Sequence, residues 1–188
     1  MKRKSFVCGL SGVVVALLFL TMGCTHLAQA STTPLAAGSG WFIHEHEGMT
    51  CRHVFGFSVH GGVYNDGWYY LPEGHLNLDC KNPVMGICMK VNGYKSWRFR
   101  VEAVEGGWNV VVEGWASVNI GSGWEDCWWF RLEAYDYGEP GNGVDVFQIR
   151  LWDPNHWSGS VPNLGLNPPE GQHHCDGTLN GGNIQVFP

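Results

Sequence analysis

Residues 124–151, WEDCWWFRLEAYDYGEPGNGVDVFQIRL, decide the fold class. Over residues 127–135, Trp128, Phe130, Leu132 and Ala134 fall on one face, while Trp129, Arg131, Glu133 and Tyr135 fall on the other. That is the two-residue period of a half-buried strand. Over residues 145–152, Phe147, Ile149 and Leu151 alternate with Gln148 and Arg150, and Gly138, Pro140, Gly141 and Gly143 between the two segments impose a reversal.

The preceding segment, residues 109–120, reads as the longest strand, with Val110, Val112, Gly114, Ala116, Val118 and Ile120 inward and Val111, Glu113, Trp115, Ser117 and Asn119 outward. A hairpin through Gly121-Ser122-Gly123 with Ile120 opposite Trp124 sets Val112 against Leu132 and Ala116 against Trp128. The same register sets Glu113 against Arg131 and Trp115 against Trp129, so both faces match chemically. Across the GEPG reversal, Ala134 opposite Ile149 brings Glu133 opposite Arg150 and Arg131 near Trp152.

Working outward, residues 41–43 and 54–60 read as the first two strands, residues 61–67 as turns, residues 74–79 as a third strand and residues 87–91 as a fourth, closed by an Asn92-Gly93 hairpin. Residues 97–104 place Phe99, Val101 and Ala103 inward. From Asp153 to His174 the alternation dissolves into a Pro/Gly/Asn-rich excursion, a loop length more often functional than incidental. Gly177-Thr178-Leu179 and a strand over residues 183–187 close the chain, and no amphipathic helix of useful length is found. About nine to eleven short strands with glycine turns predict an all-β fold, an antiparallel β-sandwich or closed β-barrel.

Of the 188 residues, the first thirty are set aside as an export signal. Lys2, Arg3 and Lys4 precede an apolar run from Phe6 to Met22, and Leu27-Ala28-Gln29-Ala30 offers the small residues that a signal peptidase reads. A competing site, Leu20-Thr21-Met22-Gly23-Cys24, resembles a lipoprotein box and would leave a lipid anchor on Cys24, although Thr21 stands where Leu is usual. The resulting division is a signal peptide over residues 1–30, a flexible tether over residues 31–40 and one β domain over residues 41–188, with no later stretch able to span a bilayer.

Loss of the three leader cations leaves eight Lys+Arg against 17 Asp+Glu, a formal charge of −9, which argues against nucleic acid and anionic lipid as partners. The mature part holds Cys51, Cys80, Cys88, Cys127 and Cys175, and export makes disulfides the expectation. Cys80–Cys88 is the expected bridge, because Lys81-Asn82-Pro83 and Gly86 let the chain reverse between them; a second would be drawn from the other three, and an odd thiol remains.

The phrases FGFSV, GHLNL, DYGEPGNGVDVFQIRL and GTLNGGNIQVF occur in this order, and together they resemble the post-COAP domain family, a small β domain of secreted bacterial proteins. The resemblance runs from about Gly40 onward and implies a β fold and an exported module, with no reaction. This chain departs from it in its cysteines, its Pro-rich excursion and its tryptophans, which points to disulfide reinforcement and an added surface loop.

Ten Trp and six Tyr suit a planar ligand. Trp115 and Trp129, side by side with Arg131 and Glu133, offer stacking faces and hydrogen-bonding groups for a sugar, extended by Trp152, Trp157, Trp68, Tyr69 and Tyr70; the bland reading is that they are core. His44 and His46 share a strand face, and with His173 and His174 they are candidate Zn2+ ligands, solvated histidines being the alternative. Asp136, Glu139, Asn142 and Asp145 are candidate Ca2+ oxygens, although such residues in turns ordinarily bond their own backbone. Glu113 and Glu133 are a conceivable carboxylate pair, and no GxSxG, P-loop or dinucleotide fingerprint is present. The expected protein is an exported, non-enzymatic β module binding carbohydrate or a cell-surface partner through an aromatic face, with a structural or adhesive envelope component as the alternative and a metal-dependent hydrolase behind both.

Overall fold

The computed structural model describes residues 34–46, 48–82, 86–121, 123–141, 143–153 and 173–188, with backbone alone at residues 46, 49, 82, 86–88, 94 and 97. The leader, Cys24, Trp157 and most of the excursion lie outside the described residues. Eleven strands follow in chain order: β1 Leu35–His46, β2 Met49–His60, β3 Val63–Asn65, β4 Trp68–Tyr70, β5 Glu73–Asn82, β6 Gly86–Val104, β7 Gly107–Asn119, β8 Trp124–Asp136, β9 Val146–Trp152, β10 His173–Thr178 and β11 Gly181–Phe187. Every strand pairing is antiparallel. The fold is therefore all-β, and among the described residues no helix is long and apolar enough to cross a membrane.

The order across the sheet is β10-β9-β8-β7-β6-β5-β2-β1-β11, with the β3–β4 hairpin attached to β6 through Tyr69 opposite Phe99. The terminal strands β10 and β11 are separated by two residues, Leu179 and Asn180, yet they pair with opposite ends of the sheet. The sheet must curl until its ends meet. Asn180 N donates to Trp41 O at 2.9 Å and Asn180 Oδ1 accepts from Ile43 N at 3.0 Å, tying that junction to β1. Inside the curl the β2 and β9 sides touch, with Phe55 stacked on Phe147 at 4.1 Å and Phe42 5.8 Å from Phe147. Burying each such ring contributes about 1.5–3 kcal/mol.

Four local expectations are corrected. Residues 35–40 of the expected tether belong to β1, because Ala36, Gly38 and Gly40 pack between β2 and β11; a Cβ on Gly38 would stand 2.8 Å from the Phe57 ring, and one on Gly40 would collide with Gly181 O. The small residues permit close strand approach here. Asn92-Gly93 is no hairpin: residues 86–104 form one 19-residue strand, longer than β7, bent by irregularities between Gly93 and Lys95 and between Ser96 and Arg98. Gly93 is placed where a Cβ would meet Leu76 at 2.8 Å and Phe130 at 3.3 Å, which is the close-packing use of glycine within a strand.

The β7–β8 register holds through Val112–Leu132, Glu113–Arg131, Trp115–Trp129 and Ala116–Trp128, then shifts so that Asn119, rather than Ile120, opposes Trp124. The extra β8 residue falls at Asp126–Cys127, where Cys127 has a φ of 68°, the signature of a bulge. Between β8 and β9 the pairing lies two residues from expectation, with Leu132 opposite Ile149, Arg131 opposite Arg150, Glu133 opposite Gln148 and Trp129 opposite Trp152. A slip of two preserves both faces, so alternation alone cannot detect it.

The reason for that slip is the GEPG loop, which folds onto β11. Asp145 accepts from Tyr137 N at 3.0 Å and Ile184 N at 2.8 Å, and Asp136 accepts from Val186 N at 2.9 Å and Gly138 N at 3.1 Å. Asn183 Oδ1 accepts from Gly141 N at 2.8 Å, while Glu139 accepts from Asn183 Nδ2 at 2.6 Å and Gln185 Nε2 at 2.8 Å. Carboxylates thus occupy the β11 edge turned away from β1, where an unpaired strand edge would otherwise lie open.

Candidate functional site

The outward face of β6–β9 carries the residues singled out for recognition, and the alternation of β7 and β8 places Glu113, Trp115, Trp129, Arg131, Glu133 and Tyr135 there. Trp115 and Trp129 meet edge to face, with ring centroids 4.9 Å apart. The expected adjacency is present. An open indole pair is not: Trp129 is 2% exposed and Trp152 6%, and with half-buried Trp115 they form a second small apolar cluster. Large aromatics gain more from burial than from standing in water, so Trp129 and Trp152 present no free stacking face.

Beside this cluster lies an ion network. Glu113, 0% exposed, accepts from Arg98 Nε through Oε2 at 2.6 Å, and its Oε1 stands 3.6 Å from an Arg131 terminal nitrogen, beyond hydrogen-bond reach. Arg131 Nε donates to Glu133 at 2.8 Å, and the Tyr135 hydroxyl donates to the other Glu133 oxygen at 3.1 Å. Burial raises the Glu113 carboxyl above its ordinary value, opposed by the Arg98 hydrogen bond and the nearby guanidinium charges. Burial, and then the Glu133 charge, push the Tyr135 hydroxyl up to about 12. Arg131 sits between the two carboxylates, so the arrangement neutralises charge; it does not hold an acid and a base on either side of an open site.

The network continues outward to the β3–β4 hairpin. Arg98 and Arg100 both cover the Trp68 ring, at 4.2 and 4.7 Å from its centroid, and Arg100 Nε lies 3.3 Å from Glu102 without hydrogen-bond alignment. Asp66 and Gly67, with φ of 49° and 81°, form the tight turn that presents Tyr64 on one arm and Trp68 on the other. Tyr64 is 63% exposed and leans on Tyr69 at 5.0 Å, which in turn stacks on Phe99 at 5.0 Å. Val63 and Leu71 are exposed beside it. The signal for this platform was Val-Tyr and Trp-Tyr-Tyr flanking Asn-Asp-Gly. What alternation within one strand could not show was the pairing of β4 with β6, which brings Arg98 and Arg100 beneath Trp68.

The remaining candidates separate. His44 Nδ1 faces Asp176, while His173, against Trp128 at 5.7 Å, and His174 are exposed on β10, and the His46 side chain lies outside the described residues. Among the described residues no three His, Cys, Asp or Glu side chains are gathered as an ion-holding group. Asp136, Glu139 and Asp145 accept the protein hydrogen bonds described above, so their oxygens serve the loop; Asn142 lies outside the described residues. Cys80 faces the β5–β6 irregularity at which Met89 and Ile87 oppose Cys80 and Lys81, and the Cys88 side chain lies outside the described residues. No family model, curated protein or solved structure matches this chain.

Proposed function

We propose that this chain is an exported, non-enzymatic β module that recognises carbohydrate, or a cell-surface partner, through aromatic side chains. The observation that carries the reading is the hairpin: Tyr64 exposed and backed by Tyr69 and Phe99 on one face, and on the other a Trp68 ring covered by two guanidiniums. Such rings lose little conformational freedom on binding, and the adjacent arginines supply donors to hydroxyl or carboxylate groups. Half-buried Trp115, with Lys95 5.5 Å from its ring, is a further contact, on the sheet face that carries Arg98 and Trp68. The charged leader and the resemblance to the post-COAP family support export to the cell envelope or beyond.

A glycan array probed with the full chain tests this reading, with Tyr64→Ala, Trp115→Ala and Trp129→Ala as variants. Retention of a defined glycan set is expected. Each aromatic contact is worth about 0.5–1.5 kcal/mol, so the Tyr64/Trp115 double variant should bind roughly tenfold more weakly. Trp129→Ala should act through stability instead. Unchanged retention by the double variant, or no glycan above background, sinks the proposal.

A further inference from the structure

The outer face of β11, β1, β2 and β5 carries a trough of about 420 Å3, apart from the face of β6–β9 described above. Its floor is Ala37 and Ser39 on β1, which pair with Ser58 and Gly56 on β2. One wall is Gln185 and Asn183 on β11, opposite Ala37 and Ser39; the other is His75 on β5, opposite Ser58. The floor is low because its four side chains are small or missing. One step further along the same strands, Leu35 and Phe187 pair and stand 37% and 52% exposed, so the trough ends on an apolar step.

Gly56 is the residue that asks for an occupant. Every other glycine among the described residues has a local reason: a left-handed backbone, as at Gly61 and Gly67, or no room for a Cβ, as at Gly38 and Gly93. Gly56 has neither. It lies within β2, outside the left-handed region, and a Cβ built on it meets nothing within 4 Å. Glycine in such a place weakens the strand, and marks close approach by a ligand or another backbone. β2 already has β1 and β5 on its two edges. A ligand is left, and the volume falls within the roughly 300–1,000 Å3 of small-molecule sites.

We propose that this trough is a binding site for a neutral saccharide, separate from the hairpin. Among the described residues its lining holds no Lys, Arg, Asp or Glu, so a phosphate, a carboxylate or a cation meets no counter-charge there. What the walls offer is amide, hydroxyl and imidazole, groups that donate and accept as sugar hydroxyls do. These groups are held in advance. Glu139 accepts from both Asn183 Nδ2 and Gln185 Nε2, and Ser58 Oγ lies 2.9 Å from His75 Nδ1. Fixing polar groups before the ligand arrives lowers the entropy that binding costs. The low floor admits a flat ring, and Leu35 and Phe187 take the C–H face of the next one. A peptide strand suits the trough less well, because β1 and β2 are paired on both edges and leave it no ladder to join.

Titration of the 15N-labelled full chain with cellotetraose, maltotetraose and N-acetylchitotetraose tests the site by NMR, with a heparin disaccharide as the charged comparison. At least one neutral tetrasaccharide should move the Gly56 and Ser58 amides and the side-chain amides of Asn183 and Gln185, and the heparin disaccharide should not. Gly56→Ile should abolish those shifts while melting at or above the parent's temperature, because a β-branched side chain there meets nothing. His75→Ala should weaken binding roughly two- to tenfold, the worth of one hydrogen bond. The Tyr64→Ala/Trp115→Ala variant should keep the shifts, which separates this site from the hairpin. The proposal falls if no neutral sugar moves these signals at millimolar concentration, if the heparin disaccharide moves them equally, or if Gly56→Ile binds like the parent. It falls too if Gly56→Ile melts well below the parent, which would make Gly56 a packing residue.

Discussion

Replacing Glu113 with alanine lowers stability by about 3–5 kcal/mol, the cost of removing one partner from a buried ion group. Arg98 and Arg131 remain, both largely buried, without the carboxylate that both approach. Glu113→Gln keeps the volume and one acceptor, and should cost less. Replacing Glu113 by Leu and Arg98 by Met together should recover much of the loss, because two apolar side chains need no counter-ion. Urea unfolding reads all three, as a lower midpoint at unchanged slope. A loss below about 1 kcal/mol for Glu113→Ala would show that this face is open to water.

The same residue has a pH signature. Burial holds the Glu113 carboxyl above its ordinary value of 4.5, so the folded chain keeps this proton at a pH where the unfolded chain has lost it. Its contribution is therefore full below that ordinary value and shrinks as pH rises through the folded one. Glu113→Gln should remove that slope from the stability profile.

Asp145→Ala should be the second severe change. Its side chain accepts from Tyr137 N and Ile184 N, and losing it leaves two backbone donors stranded, at about 1–3 kcal/mol each. For a domain of this size the melting temperature should fall by roughly 2–4 °C per kcal/mol. Asp145→Asn, which keeps one oxygen, should lie between the variant and the parent. Amide exchange should rise first at Ile184 and its β11 neighbours. If exchange rises uniformly across the sheet instead, the loop does not guard this edge.

How much was legible before any coordinates depended on the reach of the interaction. The faces of β7 and β8 could be read because a two-residue period is local and both faces carry chemically matched partners. The two-residue slip against β9 could not, since Ala134 opposite Ile149 and Leu132 opposite Ile149 put the same side chains on the same faces. Gly93 and Gly38 read as turn and tether because glycine serves bends and close packing alike, and Leu76, Phe57 and Ile184, which decide between them, are distant in sequence. The Trp129 platform failed for a related reason. Alternation tells which side of a sheet a ring takes and is silent on what covers that side. Trp68, Tyr69 and Tyr70 could be named as candidates, but not their juxtaposition with Arg98 and Arg100, because these meet through β4 and β6, about thirty residues apart, a link no single-strand pattern carries.

That β10 and β11 sit at opposite ends of the sheet has a consequence for how the chain acquires its shape. β1 finds its second neighbour only in residues 181–187, so the ladder from Leu35 to Phe187 joins the earliest described strand to the last. Contacts of such high order are slow to form, since the whole intervening polymer must be confined first. The chain should therefore stay pliable until residues 181–187 are available, and commit to its final form only once they seat on β1.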